Sequence, residues 1–307
     1  MKTKIILFIA FIAMLSAGLF FSYKVDARSR EIKKGQALLA DRRKAWLNLE
    51  KILQAKVKHF NGTVGIVIED LDTGWDISFN ENISIPSASL VKIPIMMACF
   101  QAQRDRLMSL KSKVRLKSED KVSGSKVLGS KPAGSVFRVE DLLGPMITQS
   151  DNAAANALID FLGFDRLNAY FKKMGLRNTN IVRKMMDFQE RKEGRENYTT
   201  AKDMAYLLEE LYRGRFLNKD ISQRCLEILG QQKINDRIPR KLPKGICVAH
   251  KTGLERFICH DVGIVYTDKG DFLICVLVEH GNRYAKPAKK FISDVTLLTY
   301  NYFQNLK

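Results

Sequence analysis

The sequence predicts an α+β fold, in which one antiparallel sheet is assembled from both ends of the chain and an all-helical lobe is inserted between them. Three observations carry that prediction. β-branched, alternating runs occur early, at 63–70 and 75–79, and late, at 245–249, 262–266 and 272–278. Between them, from 139 to 230, apolar residues recur at spacings of three and four. The 307 residues, 46% hydrophobic, suffice for one large core or two modest ones.

The first residues read as an address. Lys2 and Lys4 precede an apolar run, 5–21, and Val25 and Ala27 are small residues that suit cleavage after Ala27. The run is also about as long as the shortest membrane-spanning helices. Residues 1–27 are therefore expected to be either a removed signal peptide or a retained membrane anchor, and the body to be exported, periplasmic or extracytoplasmic. Residues 28–44 read as a charged helical stalk. The domain is expected over 45–307, its α/β part near 45–110 and 232–307 and its helical lobe near 111–231.

Asn61-Gly62 and Asp72-Thr73-Gly74 bound the first strand, so 63–79 should be a β-hairpin. The run from Ser89 to Gln103 should be one helix, bent at Pro94 where a backbone hydrogen bond is lost. Residues 110–136 are polar, with Lys, Ser and Gly clusters and no period, and should form a long surface connection. Helices are expected at 139–147, 153–161, 165–174, 200–213 and 220–230, with Thr200 and Asp203 arranged as a cap. Asp268-Lys269-Gly270 should turn between the last two strands, and Phe291, Val295, Leu298 and Tyr302 share one face of a final helix.

The 51 Lys and Arg against 33 Asp and Glu give a net charge of +18. Such a balance suits nucleic acid, anionic lipid or an anionic wall polymer. The basic residues are spread along the chain and no zinc-finger, RRM or recognition-helix pattern occurs, so no nucleic acid is expected and a generally basic solvated surface is. Five cysteines, an odd number without C-x-x-C spacing, do not make a disulfide framework. Cys247 and Cys275, in apolar runs, read as buried small hydrophobes. With four histidines and no H-E-x-x-H, no metal and no cofactor is expected.

Chemistry enters through spacing. Ser89 and Lys92 lie three apart, on one helix face, where a lysine amine can take the proton of a serine hydroxyl and a helix N-terminus favours developing negative charge. The same spacing recurs at Ser118/Lys121 and Ser123/Lys126, so the pattern alone selects nothing. Two further motifs do select. Ser150-Asp151-Asn152 occurs once, between helical segments, and Lys251-Thr252-Gly253 occurs once, at the end of a predicted strand. Each has a plain alternative as a helix cap or a strand end; the ordered trio does not.

On these motifs, with Pro132-Ala133-Gly134 and the run from Met146 to Asn156 around the second, the chain from about residue 45 onward resembles the class A β-lactamase group of penicillin-recognising serine hydrolases. The resemblance implies a three-layer α/β/α arrangement beside the helical lobe, with the active site between them. It implies Ser89 as nucleophile and Lys92 as base, its pKa depressed by nearby Lys251. Ser150 would relay a proton to the leaving nitrogen, Asn152 would hold Lys92 and the substrate amide, and Thr252 would bind the substrate carboxylate. The backbone N–H groups of Ser89 and of Leu254, just past Gly253, would form an oxyanion hole, worth about 2.7–4 kcal/mol per donor.

One part of the family pattern is out of place. Class A enzymes carry E-x-x-x-N after an Arg, and in the segment from Arg183 to Thr200 that spacing falls at Glu193 and Asn197, well past Arg183. By position the glutamate would fall at Met185 or Met186. Asp187 and Glu190 are the nearest carboxylates and the candidate deacylating bases; Glu193 and Glu196 are expected in solvent. Arg256, and after it His260, is the candidate cation for a substrate carboxylate, while His250, His260 and Asn156 are otherwise expected to be structural. Three functions stay open. The chain hydrolyses β-lactam amides through acyl-Ser89, or it is a D,D-peptidase on acyl-D-Ala-D-Ala stems of peptidoglycan, or it is a wall-binding or sensory domain that acylates and stays acylated.

Overall fold

Helix α1 (Lys2–Lys58) ends by packing Trp46, Leu49 and Leu53, at spacings of three and four, into the body of the protein. The computed structural model describes residues 1–282 and 284–306, with the side chains of 2–13, 17–19, 23 and 25–27 outside that description. The apolar run 5–21, expected as an export signal or anchor, falls mostly outside it. Among the described residues no helix is long and apolar enough to cross a membrane. Arg42 ties this helix to the body, its guanidinium 2.6 Å from the fully buried Asp70 carboxylate.

After α1 come β1 (Gly62–Asp70) and β2 (Trp75–Phe79), the expected hairpin, then β3 (Ile85–Pro86), a 3₁₀ turn (Ala88–Val91) and α2 (Lys92–Arg104). β4 (Lys113–Arg115) and β5 (Val136–Arg138) precede a lobe of α3 (Val139–Thr148), α4 (Asn152–Leu162) and α5 (Phe164–Lys173). A loop with a short helix, α6 (Phe188–Lys192), leads through β6 (Tyr198–Thr199) to α7 (Ala201–Tyr212) and α8 (Lys219–Gly230). β7 (Val248–Glu255), β8 (Ile258–Val265), β9 (Phe272–His280) and α9 (Lys286–Gln304) complete the chain. Among the described residues the main sheet runs β2-β1-β9-β8-β7, antiparallel throughout, so the predicted α+β class is the one observed.

Both faces of the sheet are covered, which is why its central strands read as nearly continuous apolar runs. On β9, Phe272, Ile274, Val276 and Val278 face the core shared with α1 and α9, while Leu273, Cys275 and Leu277 face the core shared with the lobe. Alternation with period two makes one strand serve two cores. Trp46, 1% exposed and edge-on to Tyr302 at 5.0 Å, pins α1 to α9. Truncating such a residue to Ala typically costs about 3–5 kcal/mol.

The structure corrects several expectations. Ser89 lies in a 3₁₀ turn, and the α-helix starts only at Lys92. Pro94 is then the third helical residue, where a backbone N–H has no intrahelical partner, so no bond is lost there. Residues 110–136 are not a free surface connection: β4 pairs with β5, and Val114, Leu116 and Leu128 are buried. Long-range polar contacts, among them Asp151 accepting from the N–H groups of Val127 and Leu128, hold this segment without any apolar period. Cys247 is exposed, whereas Cys275 is buried as expected. Thr200 caps α7 by accepting from Asp203 N–H at 3.1 Å, and Asn218, unanticipated, caps α8 in the same way.

Candidate active site

The turn that carries Ser89 is held from both sides before it begins. Pro86 O accepts from His260 Nε2 at 2.9 Å, and Ser87 N–H donates to Asn197 O at 2.7 Å. Val278 N–H donates to His260 Nδ1, which fixes the neutral tautomer with its proton toward Pro86. Burial lowers the His260 pKa to about 4. Ala88 then adopts φ 45°, a conformation rare outside glycine, as the chain turns into Ala88–Val91. A Cβ on Gly253 would meet His260 at 3.1 Å and Ala88 Cβ at 3.4 Å, so glycine there lets the turn lie directly on β7.

In a 3₁₀ turn residues i and i+3 eclipse, which brings Ser89 and Lys92 onto one line more closely than an α-helix would. Lys92 is wholly buried. Its Nζ donates to Asn152 Oδ1 at 2.7 Å, to Ser150 O at 2.8 Å and to Ser150 Oγ at 3.2 Å, three acceptors for three N–H groups. The Asn152 amide is oriented by its Nδ2, which donates to Ser123 O. Burial pulls the Lys92 pKa down to about 7, against opposing pulls from Asp151 and Glu255.

Ser150 stands at the apex between α3 and α4 with φ 57°. Asp151 is the helix cap that the motif alone suggested, accepting from Ala154 N–H at 3.0 Å, so the flanking Ser150 and Asn152 are turned toward Lys92. Cap and constellation coexist in three residues. From the sheet side, Lys251 Nζ donates to Ser150 Oγ at 2.9 Å and to Thr252 O at 2.8 Å. Lys251 is held well below the ordinary lysine pKa by burial first, then by Lys92 and Arg237. The sequence assigned the depression of Lys92 to Lys251; burial is its main cause, and the like-charge effect falls on Lys251.

Lys251-Thr252-Gly253 does not end its strand. It runs through the middle of β7, which continues to Glu255 and lies at the edge of the sheet. Thr252 points its carbonyl off that edge to Lys251 Nζ, and period two places the N–H of Leu254 on the same open edge, beside the Ala88–Val91 turn. Ser89, Lys92, Ser150, Asn152, Lys251, Thr252, Gly253 and Leu254 are thus brought together from a turn, a helix, an interhelical apex and an edge strand.

Asp187 and Glu190 are engaged elsewhere. Asp187 caps α6 by accepting from Glu190 N–H, and Glu190 pairs with Arg195, which lowers its pKa. Met185 is buried, and its N–H and C=O bond Asn156 Oδ1 and Nδ2 at 2.8 and 3.3 Å. Asn156 follows Asn152 by four residues on α4, so Met185 sits about one helical turn from Lys92. Glu196, expected in solvent, is buried between Arg183 at 2.7 Å and Arg191 at 2.9 Å, partners too distant in sequence to signal it. Arg256 is exposed and stacks on Phe257. The cation that the sequence did not reveal is Arg237, 1% exposed, with Nε 3.3 Å from Cys259 Sγ.

The family model described as "Beta-lactamase enzyme family" matches residues 48–303. β-Lactamase VEB-1 of Pseudomonas aeruginosa is 25% identical over 84% of this chain and 90% of its own length. Among solved structures, a β-lactamase from Sphaerobacter thermophilus DSM 20745 superimposes with a TM-score of 0.76 at 30% identity, covering 85% of this chain and 99% of that one. PBP-A gives a TM-score of 0.78 at 27% identity over 84% of this chain and 97% of its own. With the shared fold and the match across most of its length, the chain belongs to the β-lactamase enzyme family and is a serine hydrolase of the β-lactamase-like type.

Proposed function

We propose that this protein opens β-lactam and related acyl amide bonds through an acyl-Ser89 intermediate, and that the β-lactam adduct is long-lived. The convergence of Lys92 and Lys251 on Ser150, beside the Ser89 turn, is the observation that supports the acylation half. Neutral Lys92 takes the Ser89 proton as Ser89 Oγ attacks the carbonyl carbon. The N–H groups of Ser89 and Leu254 hold the oxyanion. As the C–N bond breaks, the proton reaches the leaving nitrogen by way of Ser150 Oγ, and Thr252 and Lys251 receive the substrate carboxylate.

Met185 supports the second half. A thioether accepts no proton, so the water needed to clear the adduct has no base where the loop crosses Asn156. In a β-lactam adduct the leaving amine stays tethered and blocks its own side of the ester. In an acyl-D-Ala-D-Ala peptide the departing D-alanine leaves that side open to water, with Lys92 and Ser150 still at hand. This favours a D,D-peptidase acting on peptidoglycan stems as the second reading, in keeping with the likeness to PBP-A, one variant of which is described as an acyl-enzyme complex with penicillin G. The basic composition and an N-terminal segment acting as export signal or anchor suit a site at the cell wall.

The test is to mix the protein with penicillin G and with a chromogenic cephalosporin and follow mass and turnover together. A stable adduct on Ser89, absent in Ser89→Ala, with little turnover is the expected result. Rapid steady hydrolysis would remove the long-lived adduct, and no adduct and no turnover would remove acyl-serine chemistry. Release of D-alanine from a D-Ala-D-Ala peptide decides the second reading.

A further inference from the structure

Both N–H groups assigned to the oxyanion hole come from segments that do not pair with each other: Ser89 from the 3₁₀ turn and Leu254 from β7. A closed ring of four ionised side chains joins them. Arg183 Nη2 lies 2.7 Å from Glu196 Oε1 and 3.3 Å from Glu255 Oε1. Arg191 Nε lies 2.9 Å from Glu196 Oε2, and its Nη1 lies 3.0 Å from Glu255 Oε2. Each carboxylate is bridged by both guanidiniums. Glu196 and Glu255 are buried or nearly so, 6% and 12% exposed, so the pairs are little screened by solvent.

The ring has one foot on each segment. Glu255 follows Leu254 directly. Glu196 precedes Asn197, whose carbonyl accepts from Ser87 N–H at 2.7 Å, and the next residues, β6, pair with β3 just before the turn. Asn197 Oδ1 also accepts from the N–H groups of Val182 and Arg183, which closes the neck of the loop on itself. The ion pairs of Arg183 and Arg191 with Glu255 tie this loop to β7.

We infer that Glu255, through Arg183, Arg191 and Glu196, is a positioning residue that sets the separation of the Ser89 and Leu254 N–H groups and so governs the acylation step. The inference rests on the acyl-serine reading. A donor pair held at fixed spacing acts on the developing oxyanion, so its loss slows bond-making and spares ground-state binding. Misplacement by about 1 Å can cost on the order of a hundredfold.

The test is rapid-mixing acylation by penicillin G, resolved into a non-covalent Kd and a first-order acylation constant, for Glu255→Gln and for the more exposed Arg191→Gln. The expected result is an acylation constant down roughly tenfold to a hundredfold with Kd within about twofold, and no further loss in the double variant. Backbone amide exchange of 183–199 and 251–257, measured on the unreacted proteins, should quicken in both variants while the unfolding transition is retained. An unchanged acylation constant, or a loss confined to Kd, overturns the inference. If the wild type forms no adduct, the acyl-serine reading fails, and unchanged exchange in both segments then overturns the ring's positioning role by itself. Should Glu255→Gln not fold, Arg191→Gln carries both measurements.

Discussion

Lys92 and Lys251 direct their side-chain nitrogens at one oxygen: Ser150 Oγ lies 3.2 Å from the first and 2.9 Å from the second. Burial disfavours the charge of both lysines, and at Lys251 the nearby Lys92 adds to it. With its pKa pulled down to about 7, Lys92 is partly unprotonated near neutral pH, as the proposed acylation of Ser89 requires.

The pH dependence of acylation follows from this. Lys92 acts as base only when unprotonated, so the acylation rate should rise with pH through about 7 and level above it. The apparent pKa belongs to the coupled pair, as stopped-flow acylation between pH 5 and 10 will read it. A rise continuing toward pH 10 would mean that an ordinary lysine is titrating. Lys92→Met should lower the plateau by about 10²–10⁴.

Met185→Glu would place a carboxylate on a backbone already clamped by Asn156. Turnover of a chromogenic cephalosporin should rise by about 10²-fold or more as deacylation gains a base. Asp187→Asn and Glu190→Gln should leave turnover unchanged, since one caps α6 and the other pairs with Arg195. A large loss in either carboxylate variant would return it to the reaction.

Asp151 holds three backbone N–H groups, those of Val127, Leu128 and Ala154, from a fully buried position. Asp151→Ala leaves all three unsatisfied and should cost about 2–4 kcal/mol in denaturant unfolding. Its charge also favours protonated Lys92, so the pH midpoint of acylation should move down in any folded residue.

His260 is buried neutral, with its folded pKa lowered to about 4 from 6.5. In that window the unfolded chain takes up a proton that the folded chain does not, so stability falls as pH drops from 6.5 toward 4. The loss is about 3 kcal/mol and is complete below the folded pKa. Unfolding midpoints measured across that range should slope less in His260→Gln than in the wild type.

The elements that the sequence revealed are those whose stabilisation is local or periodic. The hairpin, the lobe helices and the Thr200 cap are specified by residues within a few positions of one another. The trio of motifs was legible because type, order and spacing coincide. Glu196, Arg191 and Glu255 were not, because ion pairs between residues 5 to 72 positions apart leave no periodic trace. The segment 110–136 failed for a related reason: much of its order comes from Asp151 and Asn152, far along the chain, and its own buried residues, Val114, Leu116 and Leu128, follow no period.

The pairing of β1 with β9 has a consequence for how the molecule comes into being. Gly62 meets His280 and Asp70 meets Phe272, so the middle of the sheet joins residues more than about 200 positions apart. On a ribosome, the first strands must wait until nearly the last helix has been made, while the intervening lobe, built from neighbouring helices, can collapse early. Closure of the sheet is therefore the late step in the folding of this chain, and the lobe precedes it.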